Sequence, residues 1–468
     1  KQTLSQIKNI KNAVIATGGG VVKDKKNRET LSKIGKVIYL YTNLTAVKKR
    51  LESDKTRPLI KNRDNIIKIY NERMKKGIYE SADLKIDTSA ITPGKVSESI
   101  LKNLKIKTNP QKQIMKKLIV KTESKEYPIY IGYDLFRKNN SQINRKIKSD
   151  KVAIISNPLV GSLYIKELEK ILIEKGVKTT ICIIPDGEKY KTFDTIKKIF
   201  DMLLKEKMDR SASIIALGGG VVGDLAGFAA STLKRGISLI HVPTSLIAQV
   251  DSSIGGKTGF DHPLGKNMIG TFYQPDMILI DIKKLLTLPE KEFRNGLAEV
   301  IKYGIANDLA LFDILEKKQE KILNRDIELL EKIVTRCVRI KKGVVEEDEK
   351  EEKGIREVLN YGHTIGHIIE ALSGYSKYSH GEAVAMGMVK EAELANKENL
   401  LAKKDFLRIK DLIKKYGLPI SIPKNMNANK MRKYVEQDKK VRKGKIRLPV
   451  PTGIGKIITR EVECKKFL

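Results

Sequence analysis

A buried-strand pattern, Ala212-Ser-Ile-Ile-Ala-Leu217, runs directly into Gly218-Gly-Gly-Val-Val-Gly-Asp224 and then into an alanine-rich helical run. This passage limits the possible folds more than any other. A glycine turn between a buried strand and a helix N-terminus lets backbone amides and the helix dipole face a pyrophosphate. Strand and helix alternate around it: Val152-Ala-Ile-Ile-Ser, then Leu163 to Gly176, Thr179 to Ile184, Phe193 to Lys207, and Ile237-Ser-Leu-Ile-His-Val242. The alternation predicts a parallel sheet with helices on its faces. In front of it, Lys117-Leu-Ile-Val-Lys-Thr and Tyr127-Pro-Ile-Tyr-Ile-Gly alternate like the strands of a hairpin.

A tight turn alone would explain three glycines, so the neighbours carry the weight. Asp186-Gly-Glu-Lys-Tyr-Lys191 follows one strand and Pro243-Thr-Ser245 follows another; Gln249-Val-Asp-Ser-Ser-Ile-Gly-Gly-Lys257 and Lys266-Asn267 come next. This packs Arg235, Asp251, Lys257, Lys266 and Asn267 into loops at strand ends, where open α/β sheets bind ligands. Solvated loop charges would account for one lysine, but poorly for five such residues amid this much glycine.

From Glu290 to Tyr303 the pattern is an amphipathic helix, with Glu299 and Lys302 three apart on one face, as in an ordinary intrahelical ion pair. Helical patterning continues to Tyr416, and the charged run Glu346 to Lys353 reads as a solvated face or loop. Within that region lies Asn360-Tyr-Gly-His-Thr-Ile-Gly-His-Ile-Ile-Glu370, followed by His380-Gly-Glu382; three of the 5 histidines fall there. His363 and His367 are four apart and share a helix face, a pair suited to a metal ion with a third ligand from elsewhere. Two exposed polar residues and an N-cap histidine would be the plain alternative.

The chain has 468 residues, too many for one core, so about two to four domains are expected. No apolar run approaches the roughly 18 residues of a membrane span, and the first residues show no secretory signal. Cys182, Cys337 and Cys464 fit no disulfide or zinc framework, which favours a cytoplasmic home. The net charge of +35 is mostly lysine spread along the whole chain, with no arginine-rich or aromatic-interleaved tract. That speaks against nucleic acid as the partner and for an anionic small-molecule substrate drawn in by steering. The sequence begins without Met, as a fragment would.

In the first part of the chain, Asn12 to Thr17 reads as a strand leading to Gly18-Gly-Gly20, Lys36 to Tyr41 as a second strand, and Leu44 to Leu51 and Asp64 to Lys76 as helices. Ile15-Ala-Thr-Gly-Gly-Gly-Val-Val22, Thr56-Arg-Pro-Leu59, Arg73 with Tyr79, and Ala82-Asp-Leu-Lys-Ile-Asp-Thr88 resemble, in that order, the back part of shikimate kinase. The resemblance implies shikimate contacts at Gly18, Gly19, Gly20 and Arg73, and an ATP-lid role for Arg57. Phosphoryl transfer of this type needs Gly-x4-Gly-Lys-Ser/Thr, and none of the 468 residues supply it. The family's Walker segment would lie before Lys1, so this part is expected not to phosphorylate shikimate.

From about Lys117 onward the chain resembles 3-dehydroquinate synthase. Asp186-Gly-Glu-Lys, Gly-Gly-Val-Val-Gly-Asp224, Pro-Thr-Ser245, Asp251 through Lys257, Lys266-Asn267, Gly-Leu-Ala-Glu299-Val-Ile-Lys302, Asn360-Tyr-Gly-His-Thr-Ile-Gly-His367 and His380-Gly-Glu occur in family order. The resemblance implies a divalent metal, Zn2+ or Co2+, on Glu299, His363 and His380, with His367 moved from ligand to substrate contact. It implies NAD+ against Asp186, Gly187, Glu188, Lys189, Tyr190 and Lys191, against Gly219, Gly220, Val221, Val222, Gly223 and Asp224, and against Thr244, Ser245, Lys257, Lys266, Leu285, Leu286 and Thr287. It assigns Arg356 and Lys341 to a substrate carboxylate, Lys257, Asn267 and His367 to a phosphate, and Lys302 and Asp251 to hydroxyls. Asn360 is a further substrate-side residue, Lys439 and Lys440 match a late phosphate-contacting lysine, and Arg235 would reach the other subunit of a homodimer.

The implied substrate is 3-deoxy-D-arabino-heptulosonate 7-phosphate, oxidised transiently by NAD+ so that phosphate can be eliminated before re-reduction and an aldol closure to 3-dehydroquinate. The expected fold class is α/β. Residues 1–108 form a partial P-loop-kinase-type domain and 109–116 a linker. Residues 117–285 form a Rossmann-like nucleotide-binding half, and 286–468 an all-helical metal-binding half. Other sugar-phosphate cyclases, and polyol or iron-type alcohol dehydrogenases that release NADH, share that plan; Arg356 and Asn360 favour the keto-acid substrate. A basic non-catalytic binding protein is the reading of another class.

Overall fold

A computed structural model describes residues 14–17, 20–51, 63–74, 78–79, 81–91, 93–104, 115–138, 142–143, 146–147, 149–374, 377–423, 426, 431 and 445–463. Side chains at 49–51, 63–66, 73, 93–94, 98 and 137–138 are left undescribed. The chain divides into two compact units, Lys1–Lys112 and Gln113–Leu468.

The first unit pairs strands β1 (Ile38–Tyr41) and β2 (Leu84–Asp87) in parallel, Ile38 opposite Leu84. Helices α1 (Lys25–Ile34), α2 (Leu44–Leu51), α3 (Arg63–Met74) and α4 (Pro93–Asn103) accompany them. The expected strand at Asn12–Thr17 is not borne out where it is described. Val14 to Thr17 pair with no strand among the described residues, and Val14 is fully exposed. Gly20 precedes a short helical turn at Val21–Lys23, Arg73 lies in α3, and Gly18, Gly19 and Arg57 fall outside the described residues.

In the second unit, strands β3 (Lys116–Lys121) and β4 (Glu126–Gly132) form the expected antiparallel hairpin. The strands β5 (Lys151–Ser156), β6 (Lys178–Ile183), β7 (Ser213–Gly218), β8 (Ser238–Pro243) and β11 (Met277–Asp281) extend it into one sheet, in the order β3-β4-β11-β8-β7-β5-β6. Every pairing from β4 to β6 is parallel. Parallel strands need crossovers, and α5 (Pro158–Ile173), α6 (Phe193–Lys205) and α7 (Gly220–Thr232) provide them. Alternation along β7 sends Ile214 and Ala216 into one buried cluster and Ile215 and Leu217 into another, so both faces are covered. The chain leaves β5 toward β6 and leaves β7 toward β8. The crevice at the carboxyl ends of β5 and β7 is therefore a topological switch point.

Strands β9 (Lys257–His262) and β10 (Gly265–Phe272) form a separate antiparallel hairpin. This corrects the placement of Lys257, Lys266 and Asn267 in loops, for all three lie on its strands. Asp251 lies in a π-helical turn, Ala248–Ser252, and not in an open loop.

The helical half comprises α8 (Glu290–Ala306), α9 (Leu309–Lys317), α10 (Ile327–Glu347), α11 (His363–Leu372), α12 (His380–Lys397) and α13 (Lys403–Lys415). It is not wholly helical. Strands β12 (Lys445–Gly453) and β13 (Lys456–Glu463) close it as a hairpin, and Ile446, Leu448 and Val450 enter the largest core. Pro449 and Pro451 hid β12 in the sequence; a two-stranded ribbon leaves one side free of ladder bonds and so tolerates them. The run from Glu346 to Lys353 is also not simply solvated. Asp348 is buried and accepts the backbone N–H of Glu352, Lys353, Ile355 and Arg356, while buried Glu349 accepts from Ser124 and Gln274. Among the described residues, no helix is long and apolar enough to cross a membrane.

Candidate active site

The glycine turn sits where the switch point requires. Gly219 caps α7 without a side chain, and the first turn of α7 carries no acidic residue, so its free amides face outward beside positive helix potential. Thr244 donates its N–H to Gly218 O at 2.9 Å, tying the turn to the end of β8. A Cβ on Gly219 would meet Ser245 Oγ at 3.3 Å and one on Gly220 would meet Ser252 Oγ at 3.2 Å, so a side chain at either position would crowd a serine hydroxyl. Across the crevice, Asn157 Nδ2 donates to Asp186 Oδ1 at 2.7 Å, placing Asp186 beside the end of β5, and Gly187 takes φ 105°.

Asp224, from the second turn of α7, pairs with buried Lys191 at 2.6 Å, and Lys191 Nζ also donates to Asn267 Oδ1 at 2.5 Å. Burial would depress the Lys191 amine, but Asp224 and Glu188 raise it. Asn267 N–H in turn reaches Asp261 Oδ1 at 2.8 Å. Thus Lys191, Asp224 and Asn267 form one cluster. Leu285 is buried, Leu286 exposed, and Thr287 Oγ1 meets Tyr164 Oη in a short hydrogen bond.

The second cluster rests on three helices. Gly381 at the start of α12 lies so close to α8 that a Cβ would stand 2.3 Å from Asn295 O; a Cβ on Gly387 would stand 2.0 Å from Gly362 O at the start of α11. These contacts fix the places from which Glu299, His363 and His380 project. Glu299 is 1% exposed, and its Oε1 lies 3.3 Å from His363 Nε2 and 3.5 Å from His380 Nε2. His363 Nδ1 lies 3.2 Å from Tyr361 O and His380 Nδ1 lies 3.5 Å from Glu370 Oε2. Each ring is thus held from behind, which turns its Nε2 toward the carboxylate.

Lys302 Nζ stands 2.5 Å from Glu299 Oε2, so the expected ion pair exists but is buried. Asp251 Oδ1 accepts from Tyr303 Oη at 2.6 Å and Lys341 Nζ at 2.8 Å. Burial would raise the Glu299 carboxyl, yet Lys302 and His363 hold it well below the usual range; Lys341 and Lys302 do the same for Asp251. Burial lowers the Lys341 amine despite Asp251. His380 behaves oppositely: burial opposes its charge, but Glu299 and Glu370 raise it to about 10. His363 is held below its ordinary value by burial and by Lys302. The buried Glu299 carboxylate, already paired with Lys302 on Oε2, and the two Nε2 atoms turned toward its Oε1 fit a divalent metal, three ligands with a position to spare.

A bridge joins the two clusters. Lys266 Nζ lies 3.1 Å from Glu370 and 3.5 Å from Glu188. The sequence motifs assign Glu370 no role, although it lies seven residues after His363 on the same helix face, a spacing that marks it as a neighbour of the site. Tyr303, four after Glu299, was missed in the same way. His367 belongs to a second group with Glu370 and His380, its ring centroid 5.6 Å from that of His363. Arg356 is buried with Nη2 donating to Gly255 O at 3.4 Å, Lys257 pairs with Glu351, and Asn360 ends the helical turn before α11. Arg235 stands apart, exposed with φ 66°, and Lys439 and Lys440 fall outside the described residues.

The second unit thus joins a glycine-turn parallel sheet to a helical half that gathers one carboxylate and two imidazoles, the plan of a nucleotide- and metal-binding α/β protein. Family models described as 3-dehydroquinate synthase N-terminal and C-terminal match residues 181–295 and 296–441, and one described as shikimate kinase matches 1–105. The 3-dehydroquinate synthase of Pelobacter propionicus is 49% identical over 320 residues, 68% of this chain and 89% of its own. That of Thermodesulfovibrio yellowstonii is 48% identical over 343 residues, 73% and 95%. The chain belongs to the 3-dehydroquinate synthase family. Among solved structures, a 2-deoxy-scyllo-inosose synthase complexed with carbaglucose-6-phosphate, NAD+ and Co2+ superposes with TM-score 0.67 at 26% identity, over 75% of this chain and 98% of that one. A 2-epi-5-epi-valiolone synthase from Streptomyces hygroscopicus with NAD+ and Zn2+ does so with TM-score 0.67 at 27%, over 73% and 94%.

Proposed function

We propose that this protein is a 3-dehydroquinate synthase that converts 3-deoxy-D-arabino-heptulosonate 7-phosphate to 3-dehydroquinate and phosphate. The observation that carries it is the approach of His363 and His380 Nε2 to the buried Glu299 carboxylate, at 3.3 and 3.5 Å, in a half bridged by Lys266 to the nucleotide side. When bound, NAD+ supplies a reversible hydride acceptor and a divalent cation, Zn2+ or Co2+, supplies a Lewis acid for the substrate's hydroxyl oxygens.

The residues of the chain do the rest. Glu299, His363 and His380 hold the metal; the turn Gly219–Asp224, with Asp186–Lys191, Thr244, Ser245, Lys266 and Leu285–Thr287, holds the nucleotide. Lys302 and Asp251 orient hydroxyls, Arg356 and Lys341 bind the carboxylate with Asn360 beside them, and Lys257, Asn267, His367, Lys439 and Lys440 take the phosphate. The working division is 1–108, 109–116, 117–285 and 286–468, with a cytoplasmic location. Residues 1–108 are proposed to form a shikimate-kinase-type domain.

A homodimer completes the reading. Leu264 is 87% exposed and Met268, Ile269 and Phe272 lie open on the same hairpin. Thr271 and Tyr273 hydrogen-bond to Ser231 and Ile237, on either side of the turn that carries Arg235. These features support a shared surface from which Arg235 reaches a partner's site.

The test is incubation with the heptulosonate phosphate, NAD+ and Zn2+, following phosphate, 3-dehydroquinate and NADH absorbance together. Phosphate and 3-dehydroquinate should rise in step at constant NADH, and chelation should stop both. Accumulating NADH would instead identify a dehydrogenase.

A further inference from the structure

Helix α11 presents His363 from its first position, and its N-cap is Gly362 at φ 78°, which has no side chain to satisfy the free N–H groups of the first turn. A side chain cannot be accommodated there. A Cβ on Gly362 would lie 2.5 Å from Met388 Cγ and 2.7 Å from Val384 O, both on α12. The cap comes from that neighbouring helix. Glu391, wholly buried, accepts the Gly362 N–H on Oε2 at 2.6 Å. One residue earlier, Tyr361 Oη donates to Met388 O at 2.7 Å, and Tyr361 O is the atom that faces His363 Nδ1.

From these contacts we infer that Glu391 is a positioning residue for the metal site. It pins the backbone on which His363 turns, so that α12 contributes His380 at its first position and braces the opposing imidazole about three turns later. The spacing between the two imidazoles is then a property of one helix, and Glu391 acts on it without touching metal or substrate. The inference rests on the ligand set proposed above.

The experiment compares Glu391→Met, which keeps volume but loses the acceptor, with Glu391→Gln, whose side-chain oxygen can still accept the Gly362 N–H. Chelator competition with Zn2+ alone and the visible absorption of the Co2+-loaded protein report on the site. Glu391→Met should weaken Zn2+ binding about tenfold or more and shift the Co2+ bands, as loss of an outer partner commonly does, while Glu391→Gln stays close to the parent. His380→Ala serves as the reference. If it binds Zn2+ as the parent does, the ligand set itself is wrong. If His380→Ala loses Zn2+ but Glu391→Met only lowers the unfolding temperature of the metal-free protein, Glu391 is a fold residue and the inference fails. Should Glu391→Met not fold, Tyr361→Phe releases the same segment from α12 and must shift the Co2+ bands; unshifted bands would overturn the inference.

Discussion

The two sides of the catalytic unit make their sites from different materials. On the sheet side, the proposed nucleotide site is built largely from backbone, with the Lys191–Asp224 pair beside it. Gly219 and Gly220 leave room against Ser245 and Ser252, the first turn of α7 has no acidic side chain, and β7 is wholly buried. On the helical side the proposed metal site is built from buried side-chain charge: Glu299 with Lys302 and two imidazoles, while Lys341 and Tyr303 reach across to Asp251 in the π-helical turn of the sheet side. A backbone site is lost when space is filled. A charge site is lost when one partner is removed, because the remaining charge is left in low dielectric without compensation.

The largest expected effect tests that division directly. His380→Ala should lower turnover by at least about a thousandfold, on the order of 4 kcal/mol, since it removes an implied ligand of the Lewis acid. NAD+ binding, measured by fluorescence quenching or calorimetry, should stay largely intact because the glycine turn is untouched. Near-normal turnover, or a parallel loss of NAD+ affinity, would break the contrast between the two sides.

The sheet side also holds a buried imidazole that no nearby charge offsets. His241 on β8 is buried, and burial alone pushes its imidazole down to about 4. Its folded value lies below the ordinary 6.5, so the unfolded chain binds more protons between those values, and stability falls as pH drops from about 6.5 to about 4. The full effect is on the order of 3 kcal/mol. His241→Leu should flatten the slope of unfolding free energy against pH in that window, read by urea titration. An unchanged slope would show that the acid sensitivity belongs to the paired groups of the helical side.

How much could be read in the sequence follows the same division. The turn Gly218–Asp224 is contiguous, its strand and helix follow from hydrophobic period, and both were legible. The His363 window was legible as a helix, but its spacing pairs His363 with His367, whereas the structure groups His363 with His380 and Glu299 from two other helices. Pairs distant in sequence were not: Lys266 with Glu370 spans 104 residues, Lys191 with Asn267 spans 76, and Glu349 with Ser124 spans 225. Hence the run Glu346–Lys353 read as solvated, since nothing local announces a partner on the β3–β4 hairpin. The β9–β10 hairpin read as loop because its outer strand is largely exposed and has no apolar alternation.

The smallest effect asks whether the two sides are independent. A Cβ on Gly220 would press on Ser252 Oγ at 3.2 Å, and Ser252 follows Asp251 in the same π-helical turn. Gly220→Ala is therefore expected to cost about tenfold, roughly 1.4 kcal/mol, in NAD+ affinity. If the press is transmitted, turnover falls as well, through displacement of Asp251 from Lys341 and Tyr303. Ser252→Ala removes the oxygen that the new methyl meets, so Gly220→Ala with Ser252→Ala should recover turnover more than NAD+ affinity. A double-mutant cycle separates the outcomes: recovery of turnover gives a coupling energy above about 0.5 kcal/mol, whereas strict additivity would mean that the backbone side and the charged side meet at Ser252 without feeling one another.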